Sequence, residues 1–227
     1  MKFEVVLGRI GSDIWANCRL KIIHKKFKYI KDKEILDIGC GSGYIGKSFL
    51  KNNRVTFADI NQEELDKIKE KNAIVKKIDL NKKLPFKDDQ FDLIICADVL
   101  EHLENTREIL KELKRILKGS LIITTPAYSK LSGTHDKLIN HYRRYDKIDY
   151  INMAKENNLQ SQYIGYIGSF LLMPFIFTQK FKSSEIFYSG KSKLEPKITF
   201  LLNIICKIDN FLNLPFGICI IGIFTKR

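Results

Sequence analysis

The alternation of apolar and polar stretches along the chain predicts repeated strand–helix units. Short, nearly continuous apolar runs are typical of strands buried on both faces, and stretches with helical spacing of apolar residues lie between them. The predicted strands cover residues 34–39, 55–60, 73–78, 91–97 and 121–125. Helices are predicted over residues 44–52, 62–71 and 105–117. Repeated β-α-β units with short connections predict an α/β fold, in which a parallel sheet carries helices on both faces.

The two ends of the chain follow this pattern less closely. A helix is predicted over residues 13–30, with Ser12 or Asp13 as its N-cap. After Pro126 a polar loop runs to about Tyr145, and a helix over 147–157 follows, with Asp146 as a possible cap. Later strands are predicted at 162–168 and within 215–227. We expect one domain, 1–227, with residues 1–30 as a helical cap and 165–213 as an insertion.

Composition fits one α/β domain and leaves the charge open to two interpretations. The chain has 227 residues, of which 44% are hydrophobic, enough for a full core. Its formal net charge of +13 would suit an anionic partner, either nucleic acid or a phospholipid surface. The lysines are spread along the chain, however, and this also fits an ordinary solvated surface.

Cysteine usage and the N-terminus both predict a cytoplasmic protein. The five cysteines have no C-x-x-C spacing and no histidine at metal-ligand spacing. We therefore expect reduced thiols, no structural zinc and no other metal site. The N-terminal apolar run is short and contains charges, which does not fit a signal peptide.

The predicted insertion is both apolar and basic. Glycines and Pro174 interrupt its apolar run at 164–177, and no run reaches the roughly 18 residues of a spanning helix. Lysines then recur between residues 180 and 197. The combination suits peripheral contact with an anionic membrane, or a lipid-linked acceptor. A dimer contact, or helices that cap the sheet with their lysines in water, also explains it, and the oligomeric state is not predicted.

The segment EILDIGCGSGYIGKS, residues 34–48, contains two overlapping glycine motifs. Gly41 to Gly46 reads as G-x-G-x-x-G, the dinucleotide fingerprint, in which the first glycine directly follows a strand. Here Gly39 has that position, and the fingerprint would then need a glycine at Tyr44. The other motif, D-x-G-x-G-x-G, begins at Asp37. A carboxylate there would repel a pyrophosphate but suits the ammonium and sulfonium groups of S-adenosyl-L-methionine (SAM).

Acidic residues after the next two strands agree with this choice. Asp59 closes the second strand and can accept hydrogen bonds from both ribose hydroxyls, although dehydrogenases share this feature. Asp79 and Leu80 follow the third strand. Asp79 can accept a hydrogen bond from the adenine amine while Leu80 packs on the ring, and a turn or cap role for Asp79 is the alternative.

Five segments, taken in order, resemble the class I SAM-dependent methyltransferases. They are LDIGCGSG, VTFADI, KIDLNKKLPF, QFDLIICADVLEHL and SLIITTPA. The resemblance covers residues 34–126 and is closest to the broad group that methylates small molecules and lipids. It implies a Rossmann-like, doubly wound seven-stranded sheet, with six parallel strands, an antiparallel last strand and SAM over the glycine loop. It implies S-adenosyl-L-homocysteine as the product. The cofactor-binding residues that it implies are Asp37, Gly39, Cys40, Gly41, Gly43, Asp59, Ile60, Asp79, Leu80, Ala97 and His102.

We expect the acceptor to bind beside the segments that follow the fourth and fifth strands. Residues 134–147, THDKLINHYRRYDK, bring several histidine, arginine and tyrosine side chains together in this region. His135 or His141 could take a proton from a hydroxyl group. The substrate-binding candidates, which could hold a phosphate or carboxylate, are Arg143, Arg144, Tyr145 and Glu101. The loop could instead be tied down by Arg–Asp pairs and the Tyr145 ring, and Glu101 and His102 could have packing roles. Trp15 and Arg19 could close over the SAM pocket.

We therefore predict an enzyme that transfers a methyl group from SAM to a small-molecule or lipid-like acceptor, with O-methylation favoured. Methyl transfer mainly needs the acceptor, methyl carbon and sulfur in line, and an oxygen acceptor also calls for a base. The alternatives are an NAD-dependent oxidoreductase, an RNA methyltransferase and a non-catalytic SAM-binding partner protein. Nucleic acid is the less favoured acceptor, because the fourth strand is followed by ADVL and not by an N-P-P-Y-type tetrapeptide.

Overall fold

A computed structural model of the chain describes residues 18–180, 204, 206, 208, 209 and 211–226. Its seven strands are β1 (Glu34–Ile38), β2 (Arg54–Asp59), β3 (Ala73–Lys77), β4 (Phe91–Ala97), β5 (Leu117–Pro126), β6 (Leu159–Ile167) and β7 (Cys219–Lys226). Its helices are α1 (18–27), α2 (Gln62–Leu65), α3 (Thr106–Ile116), α4 (Thr134–Leu138), α5 (Lys147–Glu156) and α6 (Ser169–Lys180). Short 3₁₀ helices cover Gly46–Phe49, Leu100–His102 and Ser129–Leu131.

All seven strands belong to one sheet, in the order β3-β2-β1-β4-β5-β7-β6. Strands β1 to β5 pair in parallel, and β7 runs antiparallel to both β5 and β6. The predicted doubly wound sheet with an antiparallel last strand is thus confirmed. The strand order reverses between β1 and β4, and ligands of open α/β sheets bind outside the carboxyl ends of the strands at such a point.

The sheet separates two apolar clusters. Successive strand residues face opposite sides, so that Leu36 of β1 joins the cluster with α3 and α5 while Ile35 joins the cluster with α1. Helix α3 buries one apolar face against the first cluster through Ile109, Leu110, Leu113 and Ile116. Its N-terminus is capped by Asn105, whose side chain accepts a hydrogen bond from the backbone N–H of Arg107.

Several predicted elements have different lengths in the structure. The helix expected over 44–52 is a turn followed by the 3₁₀ helix, in which the N–H groups of Ser48 and Leu50 bond to carbonyls three residues earlier. The helix expected over 62–71 ends at Leu65. Strand β5 begins at Leu117, directly after α3 and earlier than predicted, and β6 begins at Leu159.

The region after β5 is more structured than the predicted loop. Helix α4 lies within it, and α6 contains most of the apolar run that includes Pro174. Residues 165–167 belong to β6, so the segment expected as an insertion begins after this strand. The rest of that segment lies mostly outside the described residues, as do Ser12, Asp13 and Trp15. None of the helices in the described ranges is long and apolar enough to span a membrane.

Cys18 of α1 and Cys206 form a disulfide, with their Cα atoms 5.4 Å apart and a sequence separation of 188. Both residues are buried in the cluster that contains α1. Cys40, Cys96 and Cys219 are free thiols. The expectation of reduced cysteines therefore does not hold for this pair, which the fold brings together without any local spacing signal.

Candidate active site

The loop after β1 has the backbone conformation that its glycines make possible. Gly39, Gly41 and Gly43 have φ values of +63°, +52° and +77°, in the left-handed region that other residues adopt only at a cost. A Cβ atom at Gly39 would lie 2.3 Å from Cγ2 of Val99, whereas one at Gly41 would meet nothing within 4 Å. Gly39 therefore allows close packing under the loop, and Gly41 leaves open space where a ligand can approach the backbone.

Asp37 lies within β1, immediately under this loop, and is buried. Its Oδ2 accepts a hydrogen bond of 2.9 Å from the backbone N–H of Gly46. Burial raises the pKa of Asp37 to about 7, the Gly46 hydrogen bond acts against this rise, and nearby Asp59 adds to it. A cationic ligand beside this carboxylate would favour its ionised form.

Asp59 connects the end of β2 to the glycine loop. Its Oδ2 accepts a hydrogen bond of 2.8 Å from the N–H of Gly41, and its Oδ1 accepts one of 2.9 Å from Asn61. The neighbouring Ile60 is exposed. Asp59 thus holds the loop and also presents a carboxylate at the carboxyl edge of the sheet.

Asp79 follows β3 at the same edge. Its Oδ1 accepts a hydrogen bond of 3.0 Å from the backbone N–H of Asn81, and this bond is the main cause of the lowered pKa of Asp79. Leu80 packs at the border of the cluster that contains α3. The turn interpretation of Asp79 therefore describes its local contacts, and these contacts also keep the carboxylate ionised.

The three strands thus bring Asp37, Asp59 and Asp79 to one edge of the sheet, around an open glycine loop. Carboxylates match an ammonium, a sulfonium, ribose hydroxyls and an adenine amine, all of which SAM carries. They do not match a pyrophosphate, which prefers bare backbone N–H groups. The residues present therefore fit SAM.

Strand β4 ends at the half-buried Ala97, and Asp98 follows it with a φ of +55°. Its Oδ1 accepts a hydrogen bond of 2.9 Å from Oγ1 of Thr124, and its Oδ2 pairs with the guanidinium of Arg19. This pair attaches α1 to the carboxyl edge of the sheet, beside the site. Asp98 is not among the predicted site residues, although its place after a buried strand matches that of Asp59 and Asp79.

The 3₁₀ helix after β4 contains Glu101, which is fully buried. Neither oxygen of its carboxyl group has a hydrogen-bond partner within the described part of the chain. Burial, followed by the nearby Asp98 carboxylate, raises the pKa of Glu101 well above its ordinary value. His102 lies next to it, and its Nδ1 is 3.2 Å from the backbone oxygen of Asn140.

The loop over residues 133–146, here called the acceptor loop, is organised around Asp136. This buried carboxylate accepts hydrogen bonds from Nε of Arg144 at 2.9 Å to each oxygen and from the N–H of Gly133 at 2.9 Å. Nδ1 of His141 is 3.2 Å from its Oδ1. Burial acts to raise the pKa of Asp136, but the hydrogen bonds from His141 and Arg144 outweigh burial and hold it well below its usual range.

The other predicted substrate residues contact the protein itself. The Tyr145 hydroxyl donates a hydrogen bond of 3.2 Å to the backbone oxygen of Leu100, and Arg143 donates one to the backbone oxygen of Glu104. Together with the Arg144–Asp136 pair, these bonds match the alternative in which the loop is tied down. Acceptor binding by Arg143, Arg144 and Tyr145 stays a prediction.

The acceptor loop places His141 against His102, with their ring centroids 4.6 Å apart. The backbone N–H of Tyr142 donates a hydrogen bond of 2.8 Å to the backbone oxygen of Glu101, which joins the loop to the end of β4. His135 lies in α4, and its side chain is outside the described part of the molecule. The structure thus assembles Glu101, His102 and His141, a grouping that our sequence analysis did not recognise.

The known proteins that resemble this chain in sequence include methyltransferases. A family profile described as "Methyltransferase domain" matches residues 36–123. An uncharacterised protein of Methanocaldococcus jannaschii is 33% identical over 158 residues, which cover 70% of this chain and 67% of that protein. A ubiquinone biosynthesis O-methyltransferase of Rickettsia bellii is 35% identical over 132 residues, or 53% of this chain. The chain matches only about half of that relative's length, 52%.

Solved structures show the same fold. A SAM-dependent methyltransferase from Archaeoglobus fulgidus aligns with a TM-score of 0.58 and 17% sequence identity. The alignment covers 93% of this chain and 94% of that one. The likeness therefore extends well beyond the segment matched by the family profile.

Proposed function

Because the chain belongs to the class I SAM-dependent methyltransferases and uses SAM as its methyl donor, we propose that it methylates an oxygen atom of a small-molecule or lipid-like acceptor. The observation that carries this proposal is the group of imidazole and carboxyl side chains, Glu101, His102 and His141, beside the predicted SAM site. Such groups can remove a proton from a hydroxyl group or stabilise its loss. A carbon acceptor does not require the loss of a hydroxyl proton. The similarity to an O-methyltransferase supports the same choice.

We assign the cofactor contacts as the sequence predicts them. Asp37 would face the cationic groups of the methionine part, Asp59 the ribose hydroxyls and Asp79 the adenine amine, with Leu80 against the ring. The remaining contacts would come from the loop and from the ends of β2 and β4, through Gly39, Cys40, Gly41, Gly43, Ile60, Ala97 and His102. These assignments rest on the position of each residue at the carboxyl edge of the sheet.

The chain's own residues would then align the acceptor and manage one proton. When bound, SAM supplies a methyl group already activated by its sulfonium charge. The acceptor oxygen forms a bond to the methyl carbon while the carbon–sulfur bond breaks, and sulfur keeps the electron pair. Nδ1 of His141 is held by Asp136, so its Nε2 is oriented to receive the hydroxyl proton. His135 stays the alternative base from the sequence.

A lipid-like acceptor is consistent with the exterior of the domain. On α6, Phe170 and Met173 are 47% and 72% exposed, and lysines recur in the sequence that follows. Exposed apolar groups beside basic residues suit peripheral contact with an anionic membrane. We keep this contact, and the division into one domain with a helical cap and an insertion, as parts of the proposal.

Transfer of labelled methyl from SAM into a fractionated host extract tests the proposal. We expect label in the small-molecule or lipid fraction, released by cleavage of an O-methyl bond and absent with Asp37→Ala. Asp66→Asn, at an exposed carboxyl group beyond α2, is the matched control and should retain activity. Label confined to RNA or protein would contradict the proposal. No transfer despite SAM binding would favour the non-catalytic alternative.

A further inference from the structure

We propose that Glu101, His102 and His141 bind one divalent transition-metal ion, with zinc as our assignment, on the acceptor side of the site. Each residue offers one ligand atom, and these atoms all lie within 4.8 Å of one another in the described part of the chain. Ligands about 2.1 Å from a tetrahedral zinc are roughly 3.4 Å apart, so side-chain movements of about an ångström would close the site. We had expected no metal from the sequence.

Each imidazole has a hydrogen-bond partner at Nδ1, which leaves Nε2 available as its ligand atom. The backbone oxygen of Asn140 can only accept a hydrogen bond, so Nδ1 of His102 donates to it and Nε2 carries the free lone pair. The Asp136 carboxylate, which pairs with Arg144, in the same way accepts from Nδ1 of His141. Metal-bound histidines usually donate their other N–H to a carboxylate or a carbonyl, and this protein supplies one of each.

Glu101 provides an independent indication of a missing ligand. A fully buried carboxyl group without a hydrogen-bond partner is costly, and native structures rarely keep one without a purpose. A divalent cation beside Glu101 would give this carboxyl group the partner that it lacks among the described residues.

The ligand set favours zinc or a similar ion over magnesium and calcium. Two imidazole nitrogens and one carboxylate oxygen suit zinc, whereas magnesium and calcium prefer oxygen ligands alone. Three protein ligands leave at least one position open, as in catalytic zinc sites. An acceptor hydroxyl group could occupy this position.

The role of the ion rests on the proposed O-methylation, although its binding does not. Coordination lowers the pKa of a bound hydroxyl group, so the oxygen can attack the methyl carbon after its proton has passed to solvent. Nε2 of His141 would then hold the ion and could not act as the base. The acceptor class is therefore a molecule with a hydroxyl group that can coordinate a metal.

Zinc titration of the chelator-treated full chain, in competition with a chromophoric chelator, tests the inference. We expect one bound ion per chain, and affinity lower by at least about tenfold in Glu101→Gln, His102→Ala and His141→Ala. His102 is exposed, so its variant should fold normally. The control is His24→Gln. In the wild type, Nε2 of His24 lies 2.7 Å from Oγ of Ser48, outside the cluster. Cobalt as a probe should give no thiolate charge-transfer band, which excludes the free cysteines as ligands.

Four outcomes separate this inference from the proposed function. Binding of less than one ion in five chains would overturn the metal site, as would a His102→Ala variant that binds zinc like the wild type. Methyl transfer that persists in a chelator would overturn the catalytic role of the ion. It would not contradict O-methylation with His141 as the base. Zinc binding of the expected strength without any transfer would support the site and count against the proposed function alone.

Discussion

The pKa of the buried Asp37 carboxyl group depends on whether a cationic ligand lies beside it. Burial raises its pKa to about 7, so in the free protein it loses its proton near neutral pH. A cationic ligand binds better to the ionised form and lowers this pKa. With the proposed contact between Asp37 and SAM, the same residue links SAM affinity to pH.

We predict that SAM binding weakens as pH falls below about 7. Because the bound state favours ionised Asp37, affinity should drop by up to about tenfold per pH unit until the pKa of the bound state is reached. Calorimetric titration of SAM between pH 5.5 and 8.5 measures this. Asp37→Asn should bind weakly and lose this part of the dependence. An unchanged pH profile in the variant would show that another group is responsible.

Gly39 and Gly41 have different surroundings in the loop. We therefore predict that their substitutions lower the stability of the protein by different amounts. Gly39→Ala combines a left-handed backbone with a contact of 2.3 Å to Val99, whereas Gly41→Ala has the left-handed backbone alone. We expect the first to lower the free energy of unfolding by about 2–4 kcal/mol and the second by about 1–2 kcal/mol.

Urea denaturation without SAM gives the two stabilities. SAM titration should then show weaker binding for Gly41→Ala, because its methyl group points into the open space. Equal stability losses for the two variants would contradict the packing role of Gly39.

At the scale of elements, the acceptor loop is held by a buried ion pair and by backbone bonds to the end of β4. Arg144 and Asp136 are both buried, and the guanidinium of Arg144 also lies 4.7 Å from the centre of the Phe175 ring on α6. Asp136 in turn orients His141. The conformation of the loop and the position of the candidate metal ligand therefore depend on the same pair.

We predict that Arg144→Met lowers the free energy of unfolding by about 3–5 kcal/mol, because it leaves the buried Asp136 carboxylate without its arginine partner. The double variant with Asp136→Asn should recover part of this loss. A double-mutant cycle by urea denaturation measures both effects. Simple additivity of the two losses would mean that the pair is not coupled.

The elements with sustained periodicity could be predicted from the sequence, and those that depend on distant contacts could not. The apolar spacing of α3 and the continuous apolar run of β4 persist long enough to define each element. Residues 44–52 also have helical spacing, but they form a turn and a short 3₁₀ helix. Glu101 and His141 meet only because the acceptor loop folds back on β4, and no local pattern encodes that contact.

At the scale of the whole molecule, the disulfide joins the N-terminal part of the described chain to its C-terminal part. Cys18 is adjacent to Arg19, which pairs with Asp98 at the carboxyl edge of the sheet. The bond therefore fixes α1 on the sheet close to the candidate active site. Because the two cysteines are far apart in sequence, the bond restricts a long loop of the unfolded chain.

We predict that Cys206→Ser lowers the free energy of unfolding by about 2–5 kcal/mol under non-reducing conditions. A reducing agent should lower the melting temperature of the wild type and leave that of the variant unchanged. Cys219→Ser, at a buried free thiol, controls for the loss of a packed sulfur atom and should keep the response to the reducing agent. A wild type that does not respond to reduction would contradict a stabilising disulfide.

The strand order also has a consequence for the solubility of the protein at high concentration. Among the described strands, β3 ends the sheet, and its outer edge offers unpaired backbone groups to any other chain. It carries the adjacent lysines Lys76 and Lys77, both exposed. Two copies that approached each other along this edge would bring like charges together. These two lysines therefore disfavour pairing of this edge with another copy, whether or not the protein has an anionic partner.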